Sequence, residues 1–361
     1  MKAAVIRVEF CGLYRPKPTV NIQPPPRKFA ARGRARIAWL ALSCCLATIV
    51  HAQPAVKTLP QGYPNRPIRV IVGSAPGGGA DIIARAVSQH LATRWNRPVI
   101  VDNRGGGGGV IALELLAQAA PDGYTLFGGA SLIVTATPMK KVKFDTRKTL
   151  VPIVQLTTSP YLLLAPPALP AQTVKELIGY ARSKPNALSY GSAGVGSVAH
   201  LGTELFKYMA GGLDMVHVPY KGFGQALTDL MGGQIQLLFA SGLSGTPFVK
   251  SGKLKALAVS SLRRLQAFPE VPTMAESGVA DFQLENMHGL YAPAGVPSAI
   301  VEALNAEAQR FMNSPDMKAR LTAEGSEAAP PNTPAEFRNT FVAQVDLWEK
   351  FITRSGIKLN D

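Results

Sequence analysis

From residue 63 onward, short apolar runs alternate with stretches whose apolar positions recur every three or four residues. The run over 68–72 reads as a strand. The segment over 80–95 places Ile82, Ile83, Ala86, Val87 and Leu91 on one face, the spacing of an amphipathic helix. Further strands are predicted over 99–102, 124–128, 151–155, 161–165, 188–191, 216–218, 235–240 and 254–259, with helices over 111–119 and 227–231. Three Thr-x-x-Glu boxes mark helix starts. Thr173 and Glu176 open a helix expected to stop near Pro185. Thr273 and Glu276 open a short helix expected to end at Gly278. Thr333 and Glu336 flank Pro334 at the first helical position and open a helix with Phe337, Phe341, Val345, Trp348 and Ile352 on one stripe. Strands alternating with helices predict an α/β fold with mostly parallel sheets, in which ligands gather at the carboxyl ends of strands.

Two glycine-rich turns occupy that position. Gly73-Ser74-Ala75-Pro76-Gly77-Gly78-Gly79-Ala80-Asp81 joins the first strand to its helix. Tyr190-Gly191-Ser192-Ala193-Gly194-Val195-Gly196-Ser197 opens a helix through His200, Leu201 and Leu205. A strand, glycine turn and helix in sequence aim free backbone N–H groups and the positive helix end at one spot. That geometry holds an anion without a charged side chain. Ser74 adds a hydroxyl. Asp81, in the first helical turn, reads as a capping or packing residue more than a ligand contact. His200 lies one turn into its helix and reads as packing or as facing a cleft. Ser131 ends a strand as a candidate hydroxyl, and Tyr220 and Gly222 follow another strand as a wall and an N–H donor, with Lys221 as a solvated lysine.

The beginning of the chain follows a different pattern. Arg27, Lys28, Arg32, Arg34 and Arg36 precede an apolar run over 37–50, and small residues follow at Val50-His51-Ala52. This is the layout of a secretory signal, and the run is short for a membrane span. Residues 1–52 read as a leader with a signal peptide over 26–52, so export to the periplasm is expected. Cys44 and Cys45 offer a lipoprotein alternative, against which the apolar run continues past them and Ala41 stands where Leu is usual. All three cysteines (Cys11, Cys44, Cys45) lie in this leader, so the remaining chain needs no disulfide and offers no thiol chemistry. The leader holds nine Lys or Arg and one acid, which is +8 of the formal +15. The remaining 309 residues carry 29 basic and 22 acidic groups. That mild excess suits an anionic small molecule or simply a solvated surface. The remainder is long enough for two lobes with cores.

Other chemistries find little support. No Lys follows either turn as a P-loop requires, and Ile82 stands where the dinucleotide fingerprint needs its last glycine. His90, His200, His217 and His288 show no metal-ligand spacing. Ser192 lacks the glycine of a nucleophile elbow, and no acid pair suggests general acid–base work. No cofactor, no metal and no catalytic residue are expected. No basic block with interleaved aromatics points to nucleic acid.

The chain resembles the Bug-type periplasmic solute-binding receptors of tripartite tricarboxylate transporters. The ordered set Tyr63-Pro64-Asn65-Arg66-Pro67, Pro76-Gly77-Gly78-Gly79-Ala80-Asp81, Val101-Asp102-Asn103-Arg104 and Pro121-Asp122-Gly123-Tyr124 carries the likeness. It continues through Tyr190-Gly191-Ser192-Ala193-Gly194, Val218-Pro219-Tyr220-Lys221-Gly222, Phe268-Pro269-Glu270-Val271-Pro272 and Tyr291-Ala292-Pro293. The resemblance implies a two-lobed fold of the type II periplasmic-binding-protein kind, each lobe a mostly parallel sheet flanked by helices, with crossover strands as hinge. Lobe 1 is expected over 63–160 and 289–361, and lobe 2 over 161–288. The implied site takes Ser74, Ala75, Gly77, Gly78, Gly79 and Ala80 from the first turn. It takes Ser192, Ala193, Gly194, Val195, Gly196 and Ser197 from the second, with Ser131, Tyr220 and Gly222 on the walls. The implied ligand is a small carboxylate, a di- or tricarboxylate or an aromatic acid. The implied partners are two membrane permease subunits, with the receptor a monomer. Ala240 stands where some relatives place an Asp that could meet a ligand ammonium, which favours a plain carboxylate over an amino acid. The competing functions are an orphan receptor that signals and an exported two-lobed enzyme.

Overall fold

The structure is a computed structural model, and it describes residues 60, 62–106, 109–129 and 132–355. The expected leader and signal peptide, the three cysteines, Ser131 and the last six residues lie outside the described residues. Among the described residues no helix is long and apolar enough to cross a membrane.

The elements follow the order β1 (Ile68–Val72), α1 (Gly79–Trp95), β2 (Val99–Asn103), α2 (Val110–Ala117), β3 (Thr125–Gly129), α3 (Leu132–Thr135), α4 (Thr146–Thr149) and β4 (Leu150–Ala165). Next come α5 (Val174–Ser183), β5 (Ser189–Ser192), α6 (Val198–Met209), β6 (Val216–Pro219), α7 (Phe223–Met231), β7 (Leu237–Ser241), α8 (Gly242–Lys250) and β8 (Lys255–Val259). The chain ends with β9 (Glu285–Pro293), α9 (Ser298–Met312), α10 (Pro315–Ala323), β10 (Glu327–Ala328) and α11 (Pro334–Ser355).

Strand order is β2-β1-β3-β9-β4-β7-β5-β6, with β8 and β10 also on β4. The triplets β2-β1-β3 and β7-β5-β6 are parallel, as helical crossovers require. Between them β9 and β4 run antiparallel to their neighbours. β4 is the pivot of this arrangement. Its residues 150–160 pair with β9, and Tyr161–Leu164 pair with β7, so the strand passes from one sheet half to the other between Pro160 and Tyr161. The result is α/β in two halves joined by crossover strands.

The apolar core forms two clusters, the larger of which reaches into both halves. One gathers Val70, Ile83, Leu91, Leu126 and Leu304 beneath α1 and α9. The other gathers Tyr190, Phe206, Phe239 and Phe282, and extends to the stripe of α11. Phe337, Phe341, Val345 and Trp348 are all buried there, each worth about 2 kcal/mol in apolar burial. The box at α11 forms in both directions: Glu336 N–H donates to Thr333 Oγ1 at 3.2 Å, and Thr333 N–H donates to Glu336 Oε2 at 2.8 Å.

Three expectations differ from the structure. The strands expected over 151–155 and 161–165 are one 16-residue strand, because Leu156, Thr157, Ser159 and Pro160 between them stay extended and buried against β9. The box at Thr273 and Glu276 forms, but Gly278 at φ +95° ends the chain reversal after one turn, and no helix follows. The strand β9 and the helices α8, α9 and α10 stand where no element was expected.

Candidate functional site

The first glycine turn leaves β1 and feeds α1. Gly78, at φ −79° and ψ 160°, caps α1 without a side-chain hydrogen bond, so the N–H groups of the first helical turn have no intrahelical acceptor. The turn is braced from behind. Gly77 N–H donates to Asp81 Oδ2 at 3.0 Å, and Asn103 Nδ2 donates both to Asp81 Oδ1 at 2.9 Å and to the Ser74 carbonyl at 3.0 Å. Burial pushes the Asp81 carboxyl up, but hydrogen bonds from Arg85, Gly77 and Asn103 outweigh it and hold the group below the usual carboxylate range. Asp81 is therefore a brace. The buried Ser74 Oγ has no hydrogen-bond partner among the described residues.

The second turn leaves β5 and feeds α6, and its hydrogen bonds run inward. Ser192 Oγ lies 2.7 Å from His217 Nε2 and accepts the Gly194 N–H at 3.1 Å. Gly196 takes φ +82°, donates its N–H to His200 Nδ1 at 3.0 Å and accepts Thr135 Oγ1 at 2.7 Å. A Cβ at Gly196 would lie 2.2 Å from Met139 Sδ, so only glycine fits. Ser197 Oγ caps α6 by accepting the His200 N–H. The imidazoles of His200 and His217 stack at 3.9 Å. Burial, reinforced by Lys207 and Lys141, lowers the His200 pKa to about 4. Burial and the neighbouring His200 lower that of His217 to about 3. The neutral ring is what allows His200 Nδ1 to accept the Gly196 N–H.

The turns converge on a cavity of about 70 Å³. Ser74, Gly78, Gly79, Ala80, Ala193 and Ser197 line it, together with Gly73, Phe127, Gly129, Leu132, Tyr161, Phe223 and Asn286. No charged side chain is among them. Three helix N-termini contribute: Gly79 and Ala80 of α1, the Ser197 cap of α6 and Phe223 of α7, whose own cap Gly222 supplies no side-chain hydrogen bond. Each carries about half a positive charge. The rings of Phe127, Tyr161 and Phe223, with Leu132, give apolar walls between these polar ends.

The remaining expected site residues lie elsewhere. Gly77, Ser192, Gly194 and Gly196 hold the hydrogen bonds just described and, like the half-buried Val195, are not among the lining residues. Ala75 and Gly222 meet where the first glycine turn approaches the turn between β6 and α7: Ala75 N–H donates to the Lys221 carbonyl at 3.2 Å, and a Cβ at Gly222 would lie 3.2 Å from Ala75 N. Tyr220 points into its own half, donating to Asp229 Oδ2 at 2.7 Å. Burial and that carboxylate push its hydroxyl pKa up to about 12. Ser131 lies outside the described residues. Of the lining residues that sequence reasoning missed, Gly129, Leu132 and Phe223 stand within two positions of expected ones. Tyr161 and Asn286 come from the crossover strands, which carry no local signature.

Residues 83–357 match the family model described as tripartite tricarboxylate transporter family receptor. The chain belongs to this receptor family. The receptor is 34% identical over 303 residues to BugT of Bordetella pertussis, covering 82% of this chain and 91% of BugT. Among solved structures, an R. palustris protein with adipate superposes at a TM-score of 0.78 with 31% identity, covering 82% of this chain and 99% of that one. MatC from Rhodopseudomonas palustris, with bound malate, superposes at 0.76 with 32% identity, covering 80% and all of the respective chains.

Proposed function

We propose that the receptor captures a small carboxylate between two lobes, 63–160 with 289–361 and 161–288, and carries it unchanged to two membrane permease subunits of a tripartite transporter. It is exported to the periplasm by the signal peptide over 26–52 and acts as a monomer. The observation that carries this reading is the cavity itself: helix N-termini and hydroxyls at its polar ends, and no charged side chain among the described residues that line it. An anion is stabilised there by oriented N–H groups, whereas a ligand ammonium would face the positive helix ends unpaired. The aromatic and aliphatic walls suit a dicarboxylate with an apolar middle or an aromatic acid. The acids held by two similar structures, adipate and malate, are the first candidates.

A thermal-shift screen of mono-, di- and tricarboxylates with aromatic acids tests the reading. A bound acid at 100 times its Kd stabilises the protein by ~2.7 kcal/mol. No shift with any acid overturns it. Ser74→Ala is expected to weaken binding of the best acid about tenfold, as loss of a hydrogen bond to a charged group does. The ligand-free melting temperature should hold or rise, because the unpartnered buried hydroxyl is gone. Calorimetric titration and melting of the two proteins read both effects.

A further inference from the structure

Buried polar groups on the two long strands form a chain that leads to the cavity. Thr157 of β4 pairs directly with His288 of β9, and Ser159 pairs with Asn286. Side chains two apart share a sheet face, as do directly paired ones, so Thr157, His288 and Asn286 stand together. They are 0%, 1% and 2% exposed. Thr157 Oγ1 lies 2.7 Å from His288 Nδ1, and Asn286 Nδ2 lies 3.2 Å from His288 Nε2. Asn286 lines the cavity.

An amide nitrogen only donates. His288 Nε2 therefore accepts, and the ring proton sits on Nδ1, from which it donates to Thr157 Oγ1. The surroundings of Nε2 agree with this. A Cβ on Gly79 would lie 3.0 Å from it, so the ring abuts the positive end of α1, where an imidazolium would be repelled. Burial also lowers the His288 pKa to about 4.

We propose that Asn286 is a specificity-determining ligand contact, held by Thr157 and His288 as positioning residues so that its amide nitrogen donates to a ligand oxygen. The proposal rests on the carboxylate reading of the cavity. With the opposite ring tautomer, Nε2 would itself donate, the amide would reverse, and its oxygen would face the anion. The relay also ties the ligand to both crossover strands, close to the point between Pro160 and Tyr161 where β4 changes sheet halves.

The test uses adipate and malate as probes, titrated calorimetrically at pH 7 into the wild-type chain and into Asn286→Asp, Thr157→Val and Thr157→Ser. Nitrogen-15 spectra of the His288 ring in ligand-free protein, assigned by its loss in His288→Gln, report the tautomer. The expected ring carries its proton on Nδ1. Thr157→Val moves the proton to Nε2 and weakens binding about tenfold, and Thr157→Ser restores both. Asn286→Asp, nearly the same size, loses about 100-fold, because a carboxylate replaces the donor. A wild-type ring protonated on Nε2, or undiminished affinity in Asn286→Asp, overturns the proposal. Failure of the wild-type chain to bind any acid instead overturns the carboxylate reading, and the ring spectrum still decides the relay.

Discussion

The Gly78→Val variant is expected to lose carboxylate binding by about 100-fold or more, ~2.7 kcal/mol, while its melting temperature stays within a few degrees of the wild type. Gly78 lines the cavity and takes β-region angles that valine adopts readily. Its Cβ would have 3.6 Å to Ser74 Oγ and 3.9 Å to the Ala75 carbonyl, ordinary contact distances. The fold therefore accepts the side chain, and the cavity does not. The two added methyl groups stand in front of the α1 N-terminus and part the anion from its donors. Gly79→Val is the contrasting case. A Cβ there meets Ser241 Oγ at 2.9 Å and His288 Nε2 at 3.0 Å, so affinity and stability fall together. Calorimetric titration with the best acid, alongside thermal melts, separates the two variants. Retained binding in Gly78→Val overturns the capture of the ligand by backbone groups at this turn.

The contrast between neighbouring glycines shows where local sequence stops being informative. That residues 77–79 form a turn into a helix follows from composition and periodicity alone, and so do the amphipathic faces of α1 and α11, because these are short-range properties. Which glycine has room for a side chain and which abuts residues far along the chain is decided by long-range packing. Gly79 meets Ser241 and His288, which follow it by more than 160 residues. The same limit explains Ser192 and Tyr220. Their types suit a ligand contact, but their hydroxyls go to His217 and Asp229, partners that only the folded chain brings close. The continuity of β4 through 156–160 and the whole of β9 escaped for another reason. β9 mixes Glu285, Asn286 and His288 with apolar residues, and β4 interrupts its apolar runs with Thr157, Thr158, Ser159 and Pro160. Thr157, Asn286 and His288 are buried at the crossing and hydrogen-bonded in a chain, so neither alternation nor continuous apolarity marks these strands.

Stability should drop steeply as the pH falls from 7 to 5, by roughly 3–6 kcal/mol, a large part of the usual stability of a folded protein. His200, His217 and His288 hold pKa values near 4, 3 and 4 in the fold, chiefly through burial, against about 6.5 in an unfolded chain. Between those values the unfolded state binds more protons, so stability rises with pH and is lost on acidification. Each histidine contributes up to ~1.4 kcal/mol per pH unit in that window, reduced for His217, which is only partly buried. Asp81, Asp102 and Asp145 act at lower pH, since their folded values lie below the usual range. Glu285 opposes the histidines. Burial and Glu327 raise its carboxyl, so it gains a proton on acidification and stabilises the fold, but it is one group against three. Urea melts at pH 7, 6 and 5 measure the slope. His200→Asn supplies the control, because its amide oxygen can accept the Gly196 N–H in place of Nδ1 without titrating. That variant should keep carboxylate binding and lose about a third of the slope. A pH-independent stability between 7 and 5 would show that these rings are not held neutral, and with it would go the hydrogen bond from Gly196 that shapes the second turn.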